Sequence, residues 1–243
     1  MSMATSSRPY LSDHVVITDF DGTVVDMDIT DLVLERFALR GWSDYNMLLE
    51  QGTISPEDCV SKQCMMVRVG SQDQITSYIG DLVKVRDGFS DLVRFCSVND
   101  IELIVVSAGL DFCIKSVFDT NRITVPRIIC PRSRLESGGI FLEFPPSFIS
   151  NPLVGFKEGF VLNIKMQGKT PVFIGDGIMD YSAARHACKI FAIRNSQLER
   201  QCIRMCREHT PIMTFMPVVD FLQALSRRTA GRPCASQPRK TRS

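Results

Sequence analysis

The chain has 243 residues, 44% hydrophobic and 23% charged, enough to bury a full core as one large domain or as one domain with an insertion. No run approaches the roughly 20 apolar residues of a membrane helix, and residues 1–13 lack the basic start and apolar stretch of a secretion signal, so a cytoplasmic protein is expected. The formal net charge is +1, unevenly spread along the chain. In chain order, the first strand-length apolar run is HVVIT at 14–18, which ends in the acidic stretch DFDGTVVDMD at 19–28. About eighty residues then pass before the next such run, where a simple crossover between parallel strands needs about a dozen. The interval has a helical pattern. Gly41 and Gly52 sit where helices would stop. Ser55-Pro56-Glu57-Asp58 supplies an N-cap, a proline at the first helical position and an acid three past the cap, predicting a helix over 56–69. Ser71 with Gln74 makes a second capping box. Residues 29–85 are therefore expected to form a small helical cap domain, hinged beside the acidic loop and placed to act as a lid.

Further apolar runs follow at 101–106 (IELIVV), 171–174 (PVFI) and 189–193 (KIFAI), with a weaker one at 210–216. They are continuous rather than alternating, as strands covered on both faces should be. Helical patterns lie between them at 88–98, 111–119, 158–166, 178–187, 196–207 and 217–227. This rhythm predicts an α/β fold built on a doubly wound, mostly parallel sheet. RITVPRIICP and GGIFLEF flank a Ser/Gly turn, predicting a strand followed by a hairpin. The expected organisation is a flexible N-terminus over 1–13, a sheet domain from 14–28 and 86–226, the helical cap over 29–85, and a disordered basic tail over 227–243. That tail holds six basic residues and no acid, which leaves the rest of the chain at −5. Its Pro, Gly, Ser and Arg content cannot offset the entropy of ordering, and without interleaved aromatics it reads as solvated; nucleic acid is expected to meet it weakly at most. The nine cysteines include no C-x-x-C pair and read as reduced thiols in apolar segments.

In an open parallel sheet, ligands bind beyond the carboxyl ends of the strands. Asp19 and Asp21 occupy that place after the first strand, Ser107 of VVSAG after the second, and Asp176 of FIGDGIMD after a later one, with Asp180 one helical turn on. Asp19 and Asp21, one residue apart in an extended segment, point the same way; Phe20 between them points to the core, and Gly22 lets the chain turn sharply behind. Any one of these loops alone is an ordinary turn. Together they bring acid, hydroxyl and acid to one edge. The helix before the strand at 171–174 must run antiparallel to it, so Lys157 at its start lies at that edge, whereas Lys165 and Lys169 lie at the far one. Acids from two strands suit Mg2+, and Ser107 with the backbone N–H groups of Ala108 and Gly109 can grip phosphate oxygens. These are the parts of phosphoryl-transfer machinery with a carboxylate nucleophile.

DFDGTVVD, the Ser of VVSAG, Lys157 and GDGIMD resemble, in order, the four motifs of the haloacid dehalogenase superfamily of phosphatases. With a helical insert between the first two motifs, the chain is similar to the phosphoserine-phosphatase-like branch over roughly residues 14–225. The resemblance implies a Rossmann-like core with a cap. It makes Asp19 the nucleophile that becomes an aspartyl-phosphate, and Asp21 the acid and then the base. It implies Mg2+ held by the carboxylates of Asp19 and Asp176 and the backbone carbonyl of Asp21, with Asp180 in support. Asp28 matches an acid near the substrate, and Lys62, with Arg68 as fallback, a basic substrate contact. Ser-Ala-Gly stands at 107–109 where many of that branch have Ser-Gly-Gly.

The expected activity is Mg2+-dependent hydrolysis of a small phosphorylated metabolite by a monomer or homodimer. A phosphotransferase would use the same residues. An interaction protein on an inactive scaffold would have little use for clustered like charges. A dinucleotide-binding oxidoreductase is excluded by the first loop, which has no G-x-G-x-x-G and would set carboxylates against a pyrophosphate.

Overall fold

In the computed structural model, the described residues are 11–230 apart from 12, 81, 126, 147, 150, 152 and 153. The expectations for residues 1–10 and 231–243 lie outside them. The elements in order are β1 (His14–Thr18), α1 (Ile29–Phe37), α2 (Asp44–Glu50), α3 (Pro56–Cys64), α4 (Gln72–Gly80), α5 (Phe89–Val98), β2 (Glu102–Val106), α6 (Asp111–Thr120), β3 (Arg127–Ile129), β4 (Arg132–Glu136), β5 (Gly139–Glu143), α7 (Phe156–Met166), β6 (Thr170–Gly175), α8 (Asp180–Ala184), β7 (Lys189–Ile193), α9 (Gln197–Arg204), β8 (Thr210–Ile212) and α10 (Met216–Ala230).

Six strands form one sheet in the order β3-β2-β1-β6-β7-β8, and every pairing in it is parallel. The chain works outward from β1 on one side and returns to fill the other, so the strand order reverses at β1, the place where open α/β sheets form their binding crevice. Thr18 pairs with Val105 on one flank and Ile174 on the other. That register makes Asp19, Ser107 and Asp176 leave the sheet at the same edge. The pleat sorts β1 cleanly: Val16 joins one apolar cluster with Val105, Ile174 and residues of α5, α6 and α10, while Val15 and Ile17 join a second with Phe173 and residues of α7, α8 and α9. Phe20 is fully buried in the first cluster, edge-on to Phe118 at 5.3 Å between centroids.

Helices α1–α4 form the insertion after β1. Gly41 and Gly52 stop the chain between them at φ +88° and +69°, conformations that an L side chain resists. Ser55 caps α3 by accepting from the Asp58 N–H at 3.0 Å. Two strand-like contacts hold the neck of the insertion: the Val25–Val85 bridge and the Asp26 N–H to Lys84 carbonyl bond of 3.1 Å. Val33, Leu34, Ile75 and Ile79 share the same apolar cluster as Val16 and Phe20, so α1 and α4 are packed onto the sheet side, with α4 against α6.

Some boundaries differ from the sequence reading. The helix expected over 56–69 stops at Cys64, because the next residues are recruited elsewhere: Val67 bridges Ala38, and the Arg68 N–H donates to the Phe37 carbonyl at 2.8 Å. The segment expected over 178–187 is helical only across Asp180–Ala184. Helix α10 runs on to Ala230, so residues 227–230, expected in the tail, are helical. The predicted strand and hairpin are β3, which joins the main sheet, and the antiparallel pair β4–β5. All eight described cysteines are free thiols. Among the described residues no helix is long and apolar enough to cross a membrane.

Candidate active site

The carboxyl edge gathers the predicted acids and the predicted lysine. Lys157, in the first turn of α7, places Nζ 2.7 Å from Asp19 Oδ1 and 2.7 Å from Asp180 Oδ1. All three side chains are largely withdrawn from solvent, Asp180 to 1% exposure. The other oxygen of Asp180 accepts from the N–H groups of Asp176 and Gly177 at 3.1 and 3.0 Å, so this carboxylate is fully committed to the protein. Asp176 Oδ1 accepts from the Thr23 hydroxyl at 2.9 Å. Its Oδ2 lies where a side chain on Gly22 would go: a Cβ there would sit 2.4 Å away, on a backbone with φ +69°. Only glycine allows the first acidic loop to press this closely on the second.

Asp21 sits across the gap. Its Oδ1 accepts from the Ile29 N–H at 3.1 Å, and its Oδ2 would be 2.4 Å from a Cβ on Gly109. The same imagined Cβ would lie 3.2 Å from Ser107 Oγ, so Asp21, Ser107 and Gly109 border one small space. Ser107 is fully buried and accepts from the Gly109 N–H at 2.9 Å, which ties the Ser-Ala-Gly turn into a fixed shape.

Burial and crowding set the protonation of these acids. Burial, then Asp180, push the Asp19 carboxyl well above the usual carboxylate range, with Lys157 opposing. Burial, then Asp28, do the same to Asp21. Asp176 rises to about 6 through burial and Asp180, against the Thr23 hydrogen bond. Burial would lower Lys157, but Asp180 and Asp19 hold it above the ordinary lysine range, so it stays charged. One cation is thus shared among several acids. Asp19, Asp176 and Asp180 bring a carboxylate oxygen each to within 4.8 Å of one another. Hard oxygen donors, crowded acids and uncompensated negative charge fit a divalent cation such as Mg2+.

The insertion's candidates fare differently. Asp28 is the N-cap of α1 and accepts from the Asp31 N–H at 2.9 Å, so it stands next to Asp21 but already has a structural task. Lys62 is exposed and does not line the cavity beside Lys157; its neighbour Gln63 does, together with Asn46, Leu49, Val60, Ala108 and Phe156. Gln63 donates to Asn46 Oδ1 at 2.9 Å. Arg68 braces the insertion on the hairpin, donating to the Gly138 carbonyl at 2.9 Å and to the Met65 carbonyl at 2.8 Å.

Two residues outside the sequence reading help to build the site. Thr23 holds Asp176, and its signal was its place directly behind Gly22 in DFDGT. Arg86 donates to the carbonyls of Gly22 at 2.7 Å and Thr23 at 2.9 Å, clamping the acidic loop from the neck of the insertion. No local pattern marks it.

A family model described as haloacid dehalogenase-like hydrolase matches residues 16–185. Among curated proteins, the chain is 28% identical over 214 residues to 2-hydroxy-3-keto-5-methylthiopentenyl-1-phosphate phosphatase of Geobacillus thermodenitrificans, covering 87% of this chain and 96% of that one. The protein of the same name from Bacillus velezensis is 26% identical over 207 residues, covering 84% and 87%. Among solved structures, a phosphoserine phosphatase with bound substrate superposes with a TM-score of 0.64 at 15% identity, covering 85% of this chain and 97% of that one. A phosphoserine phosphohydrolase-like protein from Francisella tularensis gives 0.58 at 22% identity, covering 86% and 99%. These superpositions show a shared fold.

Proposed function

Since the chain belongs to the haloacid dehalogenase-like hydrolase family, we propose that it is a phosphatase that hydrolyses a small phosphate monoester through an aspartyl-phosphate on Asp19. The observation that carries this reading is the charged Lys157 held between Asp19 and Asp180, with Asp176 in reach, at the edge where the strand order reverses. Asp19 and Asp176 would hold Mg2+ by carboxylates and Asp21 by its backbone carbonyl, while Asp180 orients Lys157. Bound there, the ion would offset the acids' repulsion of an anionic substrate and polarise the phosphoryl oxygens.

The chain's own residues supply the rest. Lys157 opposes the burial that would neutralise Asp19, favouring the carboxylate form that attacks phosphorus. The Ser107 hydroxyl and the Ala108 N–H grip the phosphoryl oxygens, while the Gly109 N–H, bonded to Ser107 Oγ, holds the turn in shape. Asp21, whose environment favours the protonated form, gives its proton to the leaving alkoxide as the ester P–O bond breaks. It then takes a proton from a water molecule, whose oxygen attacks the aspartyl-phosphate and returns Asp19 as a carboxylate with release of inorganic phosphate. Residues 29–85 act as the cap, and the cavity lined by Asn46, Val60 and Gln63 receives the leaving group.

The test is a panel of phosphate esters assayed with Mg2+ and after chelation. The relatives' names put 2-hydroxy-3-keto-5-methylthiopentenyl 1-phosphate first, beside phosphoserine, phosphoethanolamine, phosphocholine and sugar phosphates. Mg2+-dependent release of inorganic phosphate from one ester well above the others supports the reading. Transfer to an added alcohol without phosphate release would make the protein a phosphotransferase, and inertness towards every ester would overturn the proposal in favour of an interaction role.

A further inference from the structure

Helix α7 carries Lys157 in its first turn but begins without a cap of its own. Its N-cap residue is Gly155, which makes no side-chain bond to the exposed N–H groups of that turn. The missing acceptor comes from the insertion: Glu57 Oε1 takes the Phe156 N–H at 2.6 Å, across 99 residues of sequence. Glu57 also lies in the first turn of α3. The N-terminal ends of two helices, nine and eleven residues long, therefore meet on one carboxylate. The α7 end carries about half a positive charge, which this carboxylate offsets, while α3 keeps its own cap in Ser55. Gly155 keeps the approach open, since a Cβ there would lie 3.3 Å from Glu57 Oε1. The residue after Phe156 is Lys157, with Nζ 2.7 Å from Asp19 and from Asp180.

We propose that Glu57 is a positioning residue that caps α7 from the insertion, so that seating the cap on the sheet domain fixes the helix turn that aims Lys157. This deepens the phosphatase reading and rests on the role given there to Lys157. Attachment of the insertion is then coupled to the catalytic lysine by a direct contact: with Glu57 withdrawn, the first turn of α7 loses its acceptor and Lys157 its fixed base.

The experiment compares the full chain with Glu57→Ala and Glu57→Gln, with Mg2+ present. It reads hydrogen–deuterium exchange over residues 156–160 and steady-state kinetics on p-nitrophenyl phosphate and on the best ester of the panel. Glu57→Ala is expected to speed exchange in the first turn of α7. It should lower kcat on both esters about five- to thirtyfold, the range set by a partly buried charge at a helix end, with a smaller change in KM. Glu57→Gln, which keeps an acceptor oxygen but no charge, should fall between, and it carries the test if the alanine variant does not fold. Unchanged exchange in both variants overturns the proposal. So does a loss confined to the KM of one ester with α7 still protected, which would make Glu57 a leaving-group contact. If the wild-type chain hydrolyses no ester, the phosphatase reading falls, while the exchange comparison still decides whether Glu57 caps α7.

Discussion

Replacing Lys157 by Met removes the one charge shared by Asp19 and Asp180 while keeping most of the side-chain length. Each Nζ–carboxylate contact is 2.7 Å, worth about 6 kcal/mol of attraction at an effective dielectric of about 20, before the desolvation cost is subtracted. Removing one partner of a buried ion pair typically costs about 3–5 kcal/mol, because the remaining charge is left in a poor solvent. Here three acids would remain, with oxygens within 4.8 Å of one another. The metal-free variant at neutral pH should therefore lose about 3–5 kcal/mol in denaturant unfolding, or about 6–20 °C in melting temperature for a chain of this size. The deficit should shrink as pH falls, because Asp176, already raised to about 6 with Lys157 opposing the rise, then takes up a proton and relieves the crowding. Mg2+ should recover part of it, and turnover should remain lost. A deficit below about 1 kcal/mol, the worth of an exposed pair, would refute the view of Lys157 as the buried counter-charge. So would a deficit independent of pH.

Gly109→Ala would set a Cβ 2.4 Å from Asp21 Oδ2, forcing a shift of about 1 Å, and kcat should fall about a hundredfold with the fold retained; unchanged turnover would show that Asp21 has room to spare. Arg86→Met removes the donors to the Gly22 and Thr23 carbonyls and should lower stability by about 2 kcal/mol or more while weakening Mg2+ binding measured by calorimetry; an unchanged affinity would separate the neck from the metal site. The metal-free wild type should lose stability as pH rises. The fold raises Asp176 from 3.8 to about 6, so its contribution is complete below 3.8 and is lost as pH climbs through about 6. Melting curves across that range test the sign, and Mg2+ should abolish the loss on the alkaline side.

The parts of the site that obey a periodic rule were legible in the sequence. Strand ends mark one edge, so HVVIT followed by Asp19 and the apolar PVFI run followed by Asp176 pointed to two carboxylates at one place, and the structure brings them together. The antiparallel return of the preceding helix picked Lys157 over Lys165 and Lys169. The same reasoning could not see contacts made between distant loops. Arg86 reaches Gly22, and Glu57 reaches Phe156, only because the insertion folds back on the sheet. The facing of Lys62 was not legible either: on a short helix it depends on the neighbours, and α3 turns Gln63 towards the cavity and leaves Lys62 exposed. The end of α3 was also misjudged, since propensity favours continuing while the approach to the hairpin does not. Past Met65 the chain is drawn to α1 instead, with Val67 bridging Ala38 and the Arg68 N–H on the Phe37 carbonyl, while Gly139 of the hairpin, with φ +132°, lies so close that a Cβ there would meet the Met65 carbonyl.

Whether Asp19 becomes phosphorylated is open to direct observation. The protein is mixed with the best ester of the panel and Mg2+, quenched in acid during turnover, digested and sequenced by mass spectrometry. The expected result is a phosphoryl group on Asp19 in the wild type and none in Asp19→Asn, a variant expected to fold without turning over. Steady turnover with no phosphorylated Asp19, or an Asp19→Asn protein that keeps more than trace activity, would contradict it.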